Sequence, residues 1–467
     1  MKDNFLLSIL RALDKSELKR LEKFVQSPYH NPQRGVLRLF QFIAPRLADN
    51  TPLDEVDLFK AVFPEASQPV PRRLHVYLSL LKNVVEDFFV FEAVQSDPSQ
   101  YALYCTAAYR KRRLDDFANR ALQQAMVKRE AQPRRDRAFL EAAYKERVAL
   151  LYRFGQQERA KSLNLQDLST AQDLAYIAEK LQNGCMLLSH QTVAHSSYDT
   201  GLLEPVLQFL ENHPWLDTPA IAVYYHGYFA LLDRDGDRHF QALKTILAQQ
   251  GELFGREELR NIYLMAVNFC IRRQNQSKLP YRRELFDLYQ TGLRDGAFFE
   301  NGQLSRFTYK NMAVTGLLLQ EYEWVNHFLE TYQPFLPQAH RAASYHFNRA
   351  LYCYETGDLP AAMSSLLQAD SDDALHNLNA RVLLAKIYYE TAAFNALDSL
   401  LDAMAMFIRR NKVPSYHKAF YLNFVRMLRH LLALPPNDKM GRADLCRQIG
   451  ELKAVAEQVW LLKRAGV

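Results

Sequence analysis

The segment FVQSPYHNP, residues 24–32, is where the residue types of this chain come closest to an active-site loop. His30 could serve as a general base or a metal ligand, but no Cys, Asp or second His stands at catalytic or metal-binding spacing around it. Ser27 precedes a proline and is disfavoured in a helix, and Asn31 can cap the helix that follows. Tyr29 is expected to pack across this corner. The segment therefore predicts a turn between two helices and not a catalytic loop.

The thirteen histidines contain no arrangement typical of a metal site. His190 and His195 are five residues apart, and His340 and His346 are six apart. A zinc site needs three or four ligands that converge on the metal, and no third ligand accompanies either pair. The sequence therefore predicts no bound metal.

The segment DRDGD, residues 233–237, superficially resembles a calcium-binding loop. Such a loop requires a glutamate at its twelfth position, which counted from Asp233 is Lys244. The segment is therefore interpreted as a turn between helices. The chain also has no glycine-rich phosphate loop, no G-x-S-x-G motif and no H-E-x-x-H motif. These patterns predict a protein that is not an enzyme and uses no cofactor.

The composition favours an all-helical protein. Of the 467 residues, 48% are hydrophobic and 12% are aromatic, so the chain can bury enough apolar surface to fold. Glycine is scarce, and long stretches are rich in Ala, Leu, Glu, Gln, Lys and Arg, which favour helix. The apolar run Phe5–Leu10 is too short for a secretory signal, no run reaches the length of a membrane span, and the five cysteines are widely spaced. We therefore predict a cytoplasmic protein with no membrane segment.

The positive charge is concentrated in one segment. The net charge is +6, and residues 101–137 contain ten basic and four acidic residues, so this segment accounts for all of it. One interpretation is a solvated surface on which neighbouring aspartates screen the cations. The other is a stripe that binds phosphate groups of a nucleic acid. The basic residues of this candidate stripe are Arg110, Lys111, Arg112, Arg113, Lys128, Arg129, Arg134, Arg135 and Arg137.

The C-terminal half contains a repeat of about 35 residues. Trp324, Leu359 and Phe394 are spaced by 35 and 35, and the tripeptide YET recurs at 354–356 and 389–391. Each unit is predicted to be an amphipathic helix, a short turn and a second helix. Because one such hairpin cannot bury its own apolar face, neighbouring hairpins must stack on one another.

The clearest unit, ALYCYETGDLPAAMSSLLQA at 350–369, resembles the tetratricopeptide repeat (TPR) family. The matching positions are a small residue and an aromatic in the first helix, Gly at the turn and alanines in the second helix: Ala350, Tyr354, Gly357, Ala361 and Ala362. The resemblance implies a right-handed α-solenoid whose concave face binds a peptide or protein.

The remaining boundaries follow from this repeat. We predict a helical N-terminal module at 1–95, a degenerate TPR-like array at 96–436 and capping helices at 437–467. Prolines mark most breaks in the module, which predicts helices at about 3–12, 15–26, 34–46, 54–62 and 72–92.

The start of the chain also resembles a helical-repeat family of Bacteroidota that has an SPYxN segment followed by a V..LF helix. The matching residues are Ser27, Pro28, Tyr29, Asn31, Val36, Leu39 and Phe40. This resemblance implies the helical architecture and no activity.

The function predicted from these features is a non-enzymatic scaffold that binds a protein or peptide partner along its first helices. The side chains expected to line the concave face are Tyr309, Asn348, Tyr352, Asn379, Lys386 and Tyr389.

The alternative function is a nucleic-acid-associated transcriptional regulator. It would use the basic stripe, with or without residues 53–92, which read as helix, proline-rich turn and helix. That segment resembles the winged-helix module of some bacterial transcription activators. Its second helix would present basic residues to the major groove, but three acidic residues follow on the same helix and argue against DNA. The basic residues are Arg72, Arg73, His75 and Lys82.

Overall fold

The structure, a computed structural model, is built almost wholly of α-helices. It describes residues 5–49, 51–66, 68–151, 165–194, 196–232, 236–275, 280–411, 415–435, 437–452 and 454–466. The exception is a two-residue antiparallel pair in which β1 (Phe299–Glu300) faces β2 (Gln303–Leu304). The predicted all-helical class is therefore confirmed for this part of the chain. Among the described residues, no helix combines the length and the apolar character needed to cross a bilayer.

Contacts between residues divide the chain into two units, and the first comprises residues 1–133 and 137–176. Its helices are α1 (Phe5–Ala12), α2 (Lys15–Gln26), α3 (Arg34–Ala48), α4 (Glu55–Val62), α5 (Pro71–Ser96), α6 (Pro98–Lys111), α7 (Asp115–Ala131) and α8 (Arg137–Leu151). A further helix, α9 (Leu165–Ala194), belongs to this unit up to Tyr176. The first five helices confirm the predicted ones to within a few residues.

Helices α1 to α5 enclose one hydrophobic core. Apolar residues recur every three or four positions along each helix, and the buried ones include Leu21, Leu39 and Leu81. The predicted module boundary at 95 falls at the end of α5. The contacts group α6, α7 and α8 with the same unit, whereas the sequence analysis assigned them to the array. The functional domain boundaries stay a prediction.

The corner formed by SPYHNP is held by Asn31, whose side chain is buried. Its Nδ2 donates to the carbonyl oxygen of Val25 at 2.9 Å, and its Oδ1 accepts from the Gln33 N–H at 3.1 Å. The residue therefore links the end of α2 to the start of α3. The helix begins at Arg34, as predicted, but its N-cap is Gln33, so Asn31 acts from outside the helix and not as the expected cap.

The aromatic residues of this corner differ from expectation. The His30 ring stacks on Phe24 with centroids 3.9 Å apart, which makes it a packing residue. Tyr29 is 90% exposed, so the prediction that it packs across the corner is wrong. The reason is that the His30 ring already covers the apolar surface of Phe24.

The second unit comprises residues 134–136 and 177–467. Its helices after α9 are α10 (Leu203–Leu210), α11 (Pro219–Leu232), α12 (Gly236–Gln250), α13 (Arg256–Asn275), α14 (Pro280–Arg294), α15 (Arg306–Leu318), α16 (Tyr322–Tyr332), α17 (Arg341–Glu355), α18 (Leu359–Leu366), α19 (Ala374–Glu390), α20 (Phe394–Arg410), α21 (Ser415–Ala433), α22 (Lys439–Glu451) and α23 (Gln458–Ala465).

From α11 to α22 the described helices pair as consecutive hairpins. In each hairpin the first helix packs on the second, and the second packs on the first helix of the next hairpin. First helices also pack on one another where α11 meets α13, α15 meets α17, and α17 meets α19. This arrangement lets each hairpin bury its apolar face against its neighbour.

The same tight turn joins the two helices of three hairpins in this unit. A residue with positive φ follows the first helix: Gln320 at 61°, Gly357 at 88° and Ala392 at 55°. The next N–H reaches back to a carbonyl in the last helical turn, as from Asp358 to Cys353 at 2.8 Å. This is a Schellman motif, which satisfies carbonyls that the end of a helix would otherwise leave unbonded. In the first unit, α6 and α7 are joined in the same way through Arg113.

These turns correct the register of the sequence repeat. Leu359 and Phe394 are the first residues of α18 and α20, but Trp324 is the third residue of α16. The equivalent of Leu359 is Tyr322. The spacing is therefore 37 and then 35 residues, because the turn and not the large aromatic side chain sets the register.

The left-handed turns give a stability test. Gly357→Ala is expected to lower the free energy of unfolding by about 1 kcal/mol, because an L side chain is strained at a φ of 88°. Gly450→Ala is the matched control, since Gly450 lies in the last turn of α22 and no atom lies within 4 Å of an added Cβ. It is expected to raise stability by about 0.5 kcal/mol. Denaturant unfolding of both variants measures these changes. An equal change in the free energy of unfolding in the two variants would contradict the left-handed conformation of Gly357.

Candidate functional site

A groove crosses four helices of the second unit, each of which is the first helix of its hairpin. It has a volume of about 200 Å³ and is lined by side chains from α15, α17, α19 and α21. We call it the first-helix groove, and its lining residues are Arg306, Phe307, Lys310, Ser344, Phe347, Asn348, Asp373, Leu375, His376, Asn379, His417 and Tyr421. Because it runs across successive repeats, it presents one surface to a chain lying along it.

Lys310 supplies an uncompensated positive charge to the groove. Within the described part of the chain its ammonium makes no hydrogen bond and no ion pair, and its Nζ lies 5.3 Å from the centroid of the Phe347 ring. Burial lowers the pKa of Lys310, and the negative charge of Glu457 only partly opposes this. An anion bound in the groove would therefore gain from Lys310 without first breaking an ion pair.

Asn348 supplies an acceptor that has no donor. Its side chain is 1% exposed, and its Nδ2 donates to the Ser344 carbonyl oxygen at 2.7 Å, which fixes the orientation of the amide. The Oδ1 atom is buried and accepts no hydrogen bond in the described structure. A buried acceptor without a donor costs free energy, so a ligand N–H at this point would be stabilising.

The other charges of the groove compensate each other. The Asp373 carboxylate accepts from Arg306 at 2.7 Å and caps α19 through the N–H groups of Leu375 and His376. Burial alone would raise the pKa of Asp373, but these hydrogen bonds and the Arg306 charge hold it below its usual range. Lys310 therefore gives the groove a net positive potential.

Two of the residues predicted for the concave face line this groove, Asn348 and Asn379. The Oδ1 of Asn379 accepts from the Tyr421 hydroxyl at 3.0 Å. Tyr309, also predicted, is fully buried, and its hydroxyl donates to the Leu329 carbonyl oxygen at 2.9 Å. It faces the second helix of its own hairpin, so its expected exposure to a partner is corrected.

The remaining three predicted residues lie away from the groove. Lys386 is 7% exposed and forms an ion pair with Glu457 at 2.7 Å. The Tyr389 ring meets the edge of Trp460 at 5.4 Å between centroids. Tyr352 is half-buried, below the Arg349 guanidinium. The C-terminal segment that carries Glu457 and Trp460 thus covers a surface that the sequence analysis expected to be open.

Lys310 is not among the residues predicted from the sequence. A lysine beside a tyrosine on an amphipathic helix gives no signal of its own, because helical periodicity does not show which face a neighbouring repeat covers. Lys310 lies four residues after Arg306, which places both side chains on one face of α15. This spacing is the one feature of the sequence that indicates a shared basic surface.

Two of the nine residues of the predicted basic stripe, Arg129 and Arg137, form ion pairs within the chain. Arg129 is buried and pairs with the fully buried Glu146 at 2.8 Å, so it adds packing and not surface charge. Arg137 is half-buried and pairs with Glu141 at 3.0 Å. Arg134 and Arg135 belong to the second unit and the others to the first. Of the predicted stripe residues on α6, the following turn and α7, Lys111, Arg112, Arg113 and Lys128 are exposed, while Arg110 is half-buried.

The segment at 53–92 forms two helices, as expected, but they are joined by eight residues, 63–70. This is longer than the three or four residues of a helix-turn-helix motif. Arg72, Arg73 and His75 are exposed at the start of α5, while Lys82 pairs with Glu86 at 3.0 Å.

No group of three or more metal-ligating side chains is close enough to hold a metal among the described residues. His195 and residues 233–235 of the DRDGD segment lie outside them. The chain matches no protein-family model, no curated protein and no solved structure.

The unpaired ammonium of Lys310 predicts a trade-off between stability and binding. Lys310→Met is expected to raise the free energy of unfolding by about 1 kcal/mol, since it removes a desolvated charge and keeps the apolar stem. Lys386→Met is the matched control and should give no gain, because that ammonium is paired with Glu457. Denaturant unfolding measures both, and a loss of stability in Lys310→Met would show that this ammonium is compensated.

Two histidines elsewhere in this unit predict a pH dependence of stability. The Nδ1 atoms of His226 and His239 lie 2.9 Å apart, and burial lowers the pKa of His226 to about 4, helped by the charges of His239 and Arg238. Between this value and the ordinary pKa of about 6.5, the unfolded chain binds more protons than the folded one. Stability should therefore fall as the pH is lowered through this window.

Substitution of the half-buried His226 tests this dependence. His226→Gln is expected to flatten the fall in the free energy of unfolding between about pH 6.5 and pH 4 relative to the wild type. His327→Gln, at an exposed position on α16, should leave it unchanged. Unfolding curves at a series of pH values measure the difference, and identical slopes in all three proteins would rule out a contribution from His226.

Proposed function

We propose that the second unit is a TPR-like, right-handed α-solenoid that binds a peptide or protein partner along the first-helix groove, without catalysis. The observation that carries this proposal is the pair of unsatisfied groups in the groove. The Lys310 ammonium lacks an ion pair among the described residues, and Asn348 Oδ1 lacks a donor. Both are complementary to an extended chain that bears a carboxylate.

The hairpin arrangement supports the solenoid. Successive first helices contact one another, and in three hairpins the turn has one residue with positive φ at the same position. Stacked repeats of this kind present side chains of their first helices in register, so a partner makes small contacts with several repeats in turn. The groove gathers residues from four first helices in this way.

The chemistry of the groove selects the partner. A backbone N–H of the partner can donate to Asn348 Oδ1, and a carboxylate can pair with the Lys310 ammonium in a partly desolvated position. Phe307, which is 64% exposed, adds apolar surface to the groove, and the buried Phe347 lies in its wall. The expected ligand is an acidic peptide in an extended conformation.

A peptide display experiment on the full chain tests this function. Wild-type protein is expected to enrich acidic peptides, and binding of the enriched peptides should weaken about tenfold or more in Lys310→Met and in Asn348→Ala. Lys439→Met, at an exposed lysine at the start of α22, is the matched control and should bind normally. If peptide affinity were the same in all four proteins, the groove would not be the binding site.

A second candidate function is nucleic-acid binding by the first unit. The observation that favours it is a set of exposed cations on α6, the following turn and α7, near aromatic side chains that are also exposed. Tyr104 is 57% exposed and Phe117 is 54% exposed. Cations with exposed aromatic rings are typical of surfaces that bind single-stranded nucleic acid.

Charge reversal distinguishes the two functions. Lys111→Glu, Arg112→Glu and Arg113→Glu together should abolish retention on heparin and lower the slope of log affinity against log salt by about three if nucleic acid is the ligand. Lys310→Met should leave both unchanged. Under the scaffold function the triple variant keeps its peptide affinity. Retention of the triple variant on heparin at wild-type salt would exclude this surface as a nucleic-acid site.

A further inference from the structure

A separate pocket lies between α18 and α19, and the first-helix groove does not include it. Its volume is about 420 Å³, within the range of pockets that hold small organic ligands. Most of its wall is apolar, and the polar members are Asp370, Asn377 and Arg381. We call it the Arg381 pocket, and its apolar lining residues are Met363, Leu366, Leu367, Ala369, Ala380, Leu384 and Tyr388.

The pocket and the groove lie on opposite faces of α19. Residues 377, 381, 384 and 388 recur at three or four positions and form one stripe of the helix, which lines the pocket. Residues 375, 376 and 379 line the groove and, at about 100° per residue, project to the other side. A ligand in the pocket would therefore not compete directly with a peptide in the groove.

The pocket exists because α18 is short. It has 8 residues, whereas the second helices α16 and α20 have 11 and 17. Beyond its end at Leu366 the chain continues without helix to α19, and Leu367 is 86% exposed at the pocket. A second helix of full length would pack where the pocket now lies.

Arg381 places a cation that forms no ion pair among the described residues in this apolar wall. Its guanidinium lies 4.2 Å from the centroid of the Phe407 ring, and within the described residues it makes no hydrogen bond and no ion pair. Burial lowers the pKa of Arg381, opposed by the charge of Asp370, which forms no ion pair with it. By contrast, Arg283, Arg306 and Arg429 in the same unit all pair with carboxylates.

We propose that the Arg381 pocket binds a small amphipathic monoanion, an apolar chain that ends in a carboxylate. The apolar chain would fill the space beyond α18, and the carboxylate would form a bidentate pair with the Arg381 guanidinium. Asp370 at the pocket disfavours a doubly charged group such as a phosphate, so a single negative charge fits best. A volume of about 420 Å³ favours a small free amphiphile over a long peptide.

The test uses the full chain labelled with ¹³C on its methionine methyl groups and titrated with decanoate below its micelle concentration. Met363 lines the pocket, so its methyl signal is expected to shift in a saturable way, while that of the buried Met312 on α15 stays unchanged. The Met363 signal is assigned with Met363→Leu. Decanol, which has no charge, is titrated as the second ligand.

Three variants separate the contributions to binding. Arg381→Leu is expected to weaken decanoate binding about tenfold or more and to leave decanol binding unchanged. Arg409→Leu, at an exposed arginine on α20, is the matched control and should bind both ligands normally. Ala380→Phe should fill the pocket and abolish binding of both.

Several results would overturn the proposal. These are the absence of a saturable Met363 shift, equal decanoate affinity in wild type and Arg381→Leu, or a shift of Met312 as large as that of Met363. Binding of a peptide ending in leucine without binding of decanoate would assign the pocket to a peptide terminus and would also refute it. None of these outcomes depends on acidic peptides binding in the groove.

Discussion

The last carbonyl groups of each helix must find donors, and this requirement shapes the repeated hairpins. In the turns at Gln320, Gly357 and Ala392, a single left-handed residue turns the next N–H back to those carbonyls. The second helix then starts two residues later, antiparallel to the first. Only one of the three positions is glycine. Packing between the helices of each hairpin therefore stabilises a backbone conformation that Gln320 and Ala392 would not adopt alone.

Stacking of these hairpins leaves each first helix with two different faces. Helix α19 illustrates this, since one stripe of its residues lines the groove and the opposite stripe lines the Arg381 pocket. The groove arises because first helices lie side by side, and the pocket arises because α18 stops early. Regular repetition thus produces the continuous surface, and a departure from regularity produces the local cavity.

The buried or half-buried cations differ in whether they pair with a carboxylate of the chain. Those that are paired stabilise the fold, and those that are not can bind an anionic ligand. Arg129 with Glu146, and Lys386 with Glu457, are buried cations whose partners belong to the chain itself. Lys310 and Arg381 are partly desolvated and make no ion pair among the described residues. Desolvation without compensation lowers the stability of the folded chain, so both positions favour an anionic ligand. The same comparison moves Lys386 from the predicted binding surface into the packing of the C-terminal helices.

The sequence by itself determined the helical class, the position of most helices and the hairpin repeat, because these depend on local propensity and on the spacing of apolar residues. Of the side chains predicted for the concave face, Asn348 and Asn379 line the first-helix groove. Only the tertiary structure decided that Tyr309 is covered by its own hairpin and that Glu457 pairs with Lys386. It also decided that Lys310 is the groove lysine without an ion pair among the described residues. Those outcomes depend on contacts between residues far apart in the chain, and the periodicity of a single helix carries no information about them.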